Sequence, residues 1–188
     1  MILVRHGQSE FNVVYGRTRQ DPGIRDPALT ADGRDQARVA AAALAAHDVR
    51  RLVTSPYRRA LETAEIIAGA RGLPVTIDPT IGERVAFSCD LGSGPTELAQ
   101  RWPTWSFGHL AEQWWPDHEE PEAGLVARCV RFRLSTDALA DRDHVAIVSH
   151  WGFIRALTGL AVTNAAIVRF RVQPQLSAEL VHDVVPRG

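Results

Sequence analysis

Cysteine is scarce: Cys89 and Cys129 are the two in 188 residues. Two thiols do not make a disulfide scaffold. Both are expected reduced, and neither is assigned to catalysis. Charge of one sign is lacking too, since the net charge is -1. A nucleic-acid binder would carry a broad basic surface, so nucleic acid is excluded as a main partner. No apolar run approaches the ~20 residues of a membrane span, so no membrane partner is expected. Met1 passes directly into an apolar strand-like run, which leaves no room for a signal peptide, and the expected location is the cytoplasm. Repeats, linkers and low-complexity segments are missing, and the length suits one domain, 1–188. The 45% hydrophobic content is enough for a sizeable core. Oligomeric state is not legible.

What is present begins with Arg5-His6-Gly7, at the end of the run Met1-Ile2-Leu3-Val4. It places a histidine and a permanent cation at the carboxyl end of a buried strand, with a glycine where the chain turns away. Ligands bind at that edge of an open α/β sheet. Neutral imidazole can act as a nucleophile, and arginine can hold an anion. Three residues alone are equally compatible with an ordinary polar loop. The pattern recurs at Val145-Ala146-Ile147-Val148-Ser149-His150-Trp151-Gly152. A third run, Arg51-Leu52-Val53-Thr54-Ser55, opens into a helix that carries Arg59. If the three strands are parallel neighbours, His6, Arg5, Arg59 and His150 gather at one edge. That set suits a dianion, above all a phosphate.

The alternation along the chain predicts an α/β three-layer sandwich, a mostly parallel central sheet flanked by helices. Strands are expected at Ile2–Val4, Arg51–Thr54, Pro74–Asp78 and His144–Val148, with β-like runs at Ile167–Val172 and Ser177–His182. A loop is expected from the first strand to about Leu29. Thr30 reads as the N-cap of an alanine-rich helix reaching Ala46. Further helices are expected from Arg58 to Gly69, closing near Gly72, from Gly124 to Ala140, and from Phe153 to Ala161. The stretch of about 82–121 reads as an irregular insertion with a short helix near Thr96–Arg101.

The ordered set of motifs resembles the histidine phosphatase superfamily, which includes cofactor-dependent phosphoglycerate mutases and related phosphatases. The matching stretches are Arg5-His6-Gly7-Gln8-Ser9-Glu10-Phe11-Asn12, Asp26-Pro27-Ala28-Leu29-Thr30-Ala31-Asp32-Gly33, and Ser55-Pro56-Tyr57-Arg58-Arg59-Ala60-Leu61-Glu62-Thr63-Ala64. Gly82-Glu83-Arg84 and Ser149-His150-Trp151-Gly152 complete the series. The resemblance implies a phosphoglycerate mutase-like fold and a phosphohistidine on His6. It implies a phosphate pocket of Arg5, Arg59 and His150, with Asn12 as a neutral donor and Thr18 as a further polar pocket residue. It makes Glu83 the acid that protonates the leaving oxygen. Arg58 competes with Arg59, and the Ser-x-x-x-Arg-Ala spacing selects Arg59.

Physical chemistry supports those roles. A phosphate monoester dianion repels an attacking anion, whereas neutral imidazole, with an unperturbed pKa of ~6.5, is not repelled. Cations stabilise the transferring phosphoryl oxygens. A glutamate beside the dianion has its pKa raised by like charge and stays protonated as an acid. No metal and no cofactor are required by this scheme. The expected function is therefore a metal-independent, histidine acid-type phosphatase. It would hydrolyse a small phosphorylated metabolite and release inorganic phosphate.

The alternatives are a phosphoglycerate mutase-type phosphotransferase, a phosphoprotein phosphatase and a phospho-ligand binding module. Relatives often place glycine-tryptophan-glutamate-glycine after the acid. This chain has Ala86-Phe87-Ser88-Cys89-Asp90-Leu91-Gly92-Ser93-Gly94 there, and it is shorter than the mutases, which favours hydrolysis.

Other conspicuous residues are read as structural. Trp102, Trp105, Trp114 and Trp115 read as packing for the insertion. Glu119, Glu120 and Glu122 read as a solvated loop, though the resemblance singles out Glu122, since the family often has an acidic residue just before this helix. His47, His109, His118, His144 and His182 are expected to be structural or exposed. Arg17, Arg19 and Arg25 read as surface charge, any one of which could reach substrate from a loop.

Overall fold

The computed structural model describes residues 1–171 and 177–184. Six strands form one sheet in the order β3-β2-β4-β1-β5-β6. They are β1 (Ile2–Arg5), β2 (Arg51–Thr54), β3 (Val75–Ile77), β4 (Val145–Ser149), β5 (Ile167–Arg171) and β6 (Ser177–His182). β1, β2, β3 and β4 run parallel, while β5 is antiparallel to both β1 and β6. The last residue of the expected run Ile167–Val172 lies outside the described residues.

Period-two alternation splits the core across the sheet. Ile2, Val4, Ala146 and Val148 face one side, where Ala40, Leu44, Ala60, Ala64 and Ile67 cover them. Those residues come from α2 (Ala31–Ala43), a following 3-10 turn and α3 (Arg58–Arg71). Leu3, Val145, Ile147 and Val168 face the other side, under Leu125, Cys129, Phe132, Phe153 and Leu157 of α5 (Glu122–Asp137) and α6 (Trp151–Thr158). The three-layer sandwich is the observed architecture.

Local signals explain the helix ends. The Thr30 side chain accepts from the Gly33 N–H and caps α2. Gly72 closes α3 at φ +63, a left-handed conformation that glycine adopts without strain. One expectation fails. The span between β1 and Leu29 is not all loop, because α1 (Glu10–Thr18) occupies part of it. The 82–121 insertion holds a 3-10 turn at Ser88–Asp90 and α4 (Pro95–Arg101). Among the described residues, no helix is long and apolar enough to cross a membrane.

Candidate active site

Parallel register brings the proposed site together. Arg5 pairs with Ser149, and Val148 pairs with both Val4 and Thr54. His6, His150 and Ser55 therefore leave their strands at one level on one edge. The His6 and His150 ring centroids lie 5.1 Å apart. A cavity of about 540 Å³ opens there, lined by Arg5, His6, Asn12, Arg59 and Glu83 among others.

His6 is buried, and its main chain is held on both sides. Its N–H donates to the Ser149 carbonyl, and its own carbonyl accepts from the Ala165 N–H and the Asn164 amide. Its Nδ1 lies 2.7 Å from the Gly7 carbonyl. That partner can only accept, so the proton sits on Nδ1 and the Nε2 lone pair is free. Burial, followed by the Arg59 and Arg5 charges, holds the His6 pKa well below its ordinary value. The ring is thus neutral and has one unprotonated nitrogen.

Arg5 donates to the Val162 carbonyl, while its Nε is buried without a partner among the described residues. Burial brings its pKa down to about 10, so it remains a cation at neutral pH. Arg59 donates to the Cys89 carbonyl and forms a buried ion pair with Asp90 at 3.0 Å. Its guanidinium also lies over the Tyr57 ring. Arg58 turns away and pairs with Glu62. The spacing that selected Arg59 thus picks the arginine that lines the cavity.

His150 is fully buried behind His6 and does not itself line the cavity. Its Nε2 lies 2.9 Å from Ser55 Oγ, and its Nδ1 has no partner among the described residues. Burial, then Arg59 and His6, keep it neutral, with its pKa well below the ordinary value.

Glu83 accepts from its neighbour's N–H at Arg84 and from the Gly152 N–H at the start of α6. Burial first, and the Asp90 carboxylate second, raise its pKa. Burial, rather than like charge from a bound dianion, is the leading cause of the shift.

Asn12 lines the cavity, with its amide oxygen accepting from Ser9 and Asn164. Its amide nitrogen is the donor that these bonds leave unused. Thr18 requires a correction. It is exposed at the end of α1, donates to the Val14 carbonyl, and does not line the cavity. The hydroxyl is consumed by its own helix, and Tyr15 of α1 and Arg19 at its C-cap line the cavity instead.

Two further readings change. Glu120 is not solvated, because it forms a largely buried pair with Arg128 at 2.6 Å. Glu122 is the exposed first residue of α5 and stays outside the cavity. Trp102 is buried and stacks on Trp105, while Trp114 packs on Tyr57 and donates to the Ser93 carbonyl. Both thiols are free and buried, and burial raises their pKa values, that of Cys129 to about 11. Among the described residues, no three His, Cys, Asp or Glu side chains gather to hold a metal ion.

Asp90 is the residue that sequence reasoning missed. Its carboxylate accepts from Arg59 and from the Ala86 and Phe87 N–H groups. The signal available was an acid seven positions past Glu83, inside the segment that departs from the expected pattern. Ser55, Phe87, Trp151 and Asn164 were also given no role.

Comparison with known proteins supplies a context for this geometry. Residues 1–182 match the histidine phosphatase superfamily (branch 1). The chain is 32% identical over 176 residues to the glucosyl-3-phosphoglycerate phosphatase of Mycolicibacterium vanbaalenii, spanning 87% of this chain and 76% of that one. It is 38% identical over 187 residues to the 2,3-bisphosphoglycerate-dependent phosphoglycerate mutase of Thermoplasma acidophilum, spanning 92% and 86%. The solved structure of a mycobacterial glucosyl-3-phosphoglycerate phosphatase with VO3 shares the fold. Its TM-score is 0.66 at 22% identity, covering 98% of this chain and 99% of that one.

Proposed function

The chain belongs to the histidine phosphatase superfamily, and from that premise we propose that it hydrolyses a small phosphomonoester through a phosphohistidine on His6. One observation carries the reading: a buried, neutral His6 with Nδ1 committed to the Gly7 carbonyl, in one cavity with Arg5, Arg59 and Glu83.

In the first step the His6 Nε2 lone pair attacks phosphorus and the bond from phosphorus to the ester oxygen breaks. The Glu83 carboxyl gives its proton to that oxygen, and the alcohol leaves. Arg5, Arg59 and the Asn12 amide hold the phosphoryl oxygens while charge shifts between them. His150 completes the pocket from behind. In the second step water attacks the phosphoryl group, Glu83 takes a proton from it, and the bond from phosphorus to nitrogen breaks. Inorganic phosphate and neutral His6 result. Positive charge comes from arginine, so this scheme needs no metal. The lowered His6 pKa keeps the base available to lower pH, and the raised Glu83 pKa keeps the acid available to higher pH than an ordinary glutamate.

Protein quenched in alkali during turnover is expected to carry an alkali-stable, acid-labile phosphoryl group on His6. His6→Ala should fold and release no phosphate, and normal turnover by that variant would defeat the reading. Activity should survive excess chelator. Loss on chelation, restored by Mg²⁺ or Zn²⁺, would point to a metal mechanism.

The identity to a phosphoglycerate mutase over most of the chain favours a second reading, transfer in place of hydrolysis. Incubation with 3-phosphoglycerate separates them: free phosphate marks hydrolysis, and efficient conversion to 2-phosphoglycerate marks transfer.

A further inference from the structure

Much of the cavity's apolar lining is built from aromatic rings. Phe11 and Tyr15 stand one helical turn apart on α1 and stack at 5.2 Å between centroids, with planes 15° apart. Phe87 leans on both, at 5.7 Å and 5.0 Å. The three form one connected wall drawn from two parts of the chain. Trp151, the residue after His150, lines the same cavity. One turn on, the Arg155 guanidinium lies 4.9 Å over its ring and holds the indole in place. Phe87 is 39% exposed and Trp151 is 37% exposed. Large apolar side chains left open at the mouth of a polar pocket mark a surface that a ligand covers.

The polar side chains of the cavity outside the anion pocket are mostly spent. The Ser9 hydroxyl donates to Asn12, and the Asn164 amide donates to the His6 carbonyl and to Asn12. The Arg84 guanidinium is held by Glu119 and by the Glu120 carbonyl. The Arg19 guanidinium, 5.9 Å from the Tyr15 ring centre, and the Tyr15 hydroxyl are left over as polar groups at this lining. A polyhydroxylated leaving group would therefore exchange its water for few partners, and that exchange is costly. A flat apolar group would lose water and gain ring contacts.

We propose that this site takes the monophosphate ester of an alcohol carrying a flat apolar ring, seated against Phe87 and Trp151. The assignment rests on the anion pocket being the phosphate site of the proposed hydrolase.

Binding tests it without requiring turnover. Calorimetry on the wild-type protein compares 2-phenylethylphosphonate with ethylphosphonate, two non-hydrolysable ligands that differ by the ring. The ring ligand should bind tighter by roughly tenfold to a hundredfold, the range that ring burial and stacking supply. Phe87→Ala and Trp151→Ala should each shrink that ratio. Equal affinities in the wild type would overturn the proposal, as would a ratio unchanged in the double variant.

Phosphate release from 2-phenylethyl phosphate and from glycerol 3-phosphate forms the second arm. A higher kcat/KM for glycerol 3-phosphate would overturn the ring assignment and leave hydrolysis standing. Failure of both esters alongside a clear ring advantage in binding would defeat hydrolysis and leave the ring site standing.

Discussion

At the scale of the residue, burial moves two cavity-lining groups in opposite directions, lowering the His6 pKa and raising that of Glu83. Glu83→Gln retains the shape but cannot give a proton. It should slow phosphorylation by alkyl phosphates about 10²–10⁴-fold, the usual range of general acid catalysis. p-Nitrophenyl phosphate needs little protonation and should suffer much less in the same step. Burst kinetics separates that step from dephosphorylation, and equal losses on both substrates would remove Glu83 from the acid role. The pH profile has a definite sign. The His6 pKa is depressed, so the acid limb of kcat/KM, corrected for substrate ionisation, should fall below ~6.5. The Glu83 pKa is raised, so the alkaline limb should lie above that of an ordinary glutamate. Asp90 links the two halves, since it pairs with Arg59 and its charge disfavours ionisation of Glu83. Asp90→Asn is therefore expected to move the alkaline limb to lower pH. It should also tighten inorganic phosphate binding, because Arg59 loses its counter-charge. Titration of product inhibition against pH reads both effects, and an unmoved limb would place Asp90 outside this linkage.

At the scale of the element, legibility followed the strength of local signals. β2 was read to its observed ends because Leu52-Val53-Thr54 stands between an arginine and a Ser-Pro turn. α2 was found from its Thr30 cap and its alanines, and α3 from its apolar spacing and Gly72. α1 was missed for a physical reason. Glu10–Thr18 holds Asn12, two adjacent valines and Gly16, all poor helix formers. Its start is fixed by a reciprocal Ser9 and Asn12 cap in place of the commoner glutamate or glutamine pairing. The i,i+4 pair Phe11 and Tyr15 was the legible sign. Arg5, His6 and His150 could be singled out because they stand at strand ends, and Arg59 because it opens the helix that follows one. Asp90 could not, because its role depends on a turn folding back onto Arg59. The turn after β1 also depends on a close approach to α2. A Cβ added at Gly33 would lie 2.0 Å from the Gln8 carbonyl oxygen, and one at Gly7 would lie 2.3 Å from the Gly33 carbonyl oxygen. Gly33→Ala must therefore push apart the backbone two residues beyond His6. A stability loss of about 1–3 kcal/mol is expected, the scale of overpacking. A urea midpoint that did not fall would show that the two segments separate easily.

At the scale of the whole molecule, burying two neutral histidines ties stability to pH. His6 and His150 have folded-state pKa values well below their ordinary one. In the unfolded chain they titrate near ~6.5. Below that pH the unfolded state binds more protons, so stability should drop as pH falls, by up to about 1.4 kcal/mol per pH unit for each ring. Urea midpoints between pH 7.5 and pH 5.5 would reveal this, with a shallower dependence expected for His6→Asn. A flat wild-type dependence would mean that the rings take up protons in the folded state. The order of strands in the sheet has another consequence, one of timing. β1, which ends one residue before His6, lies between β4 and β5, and Ile2 pairs with Ala146 on one side and Arg169 on the other. At ribosomal speeds those partners follow β1 by on the order of ten seconds. Through that interval an apolar strand has neither neighbour, and His6 lacks both the Ser149 carbonyl and the Asn164 amide. The nascent chain is therefore exposed to aggregation, and the candidate site is incomplete, until β4 and β5 arrive.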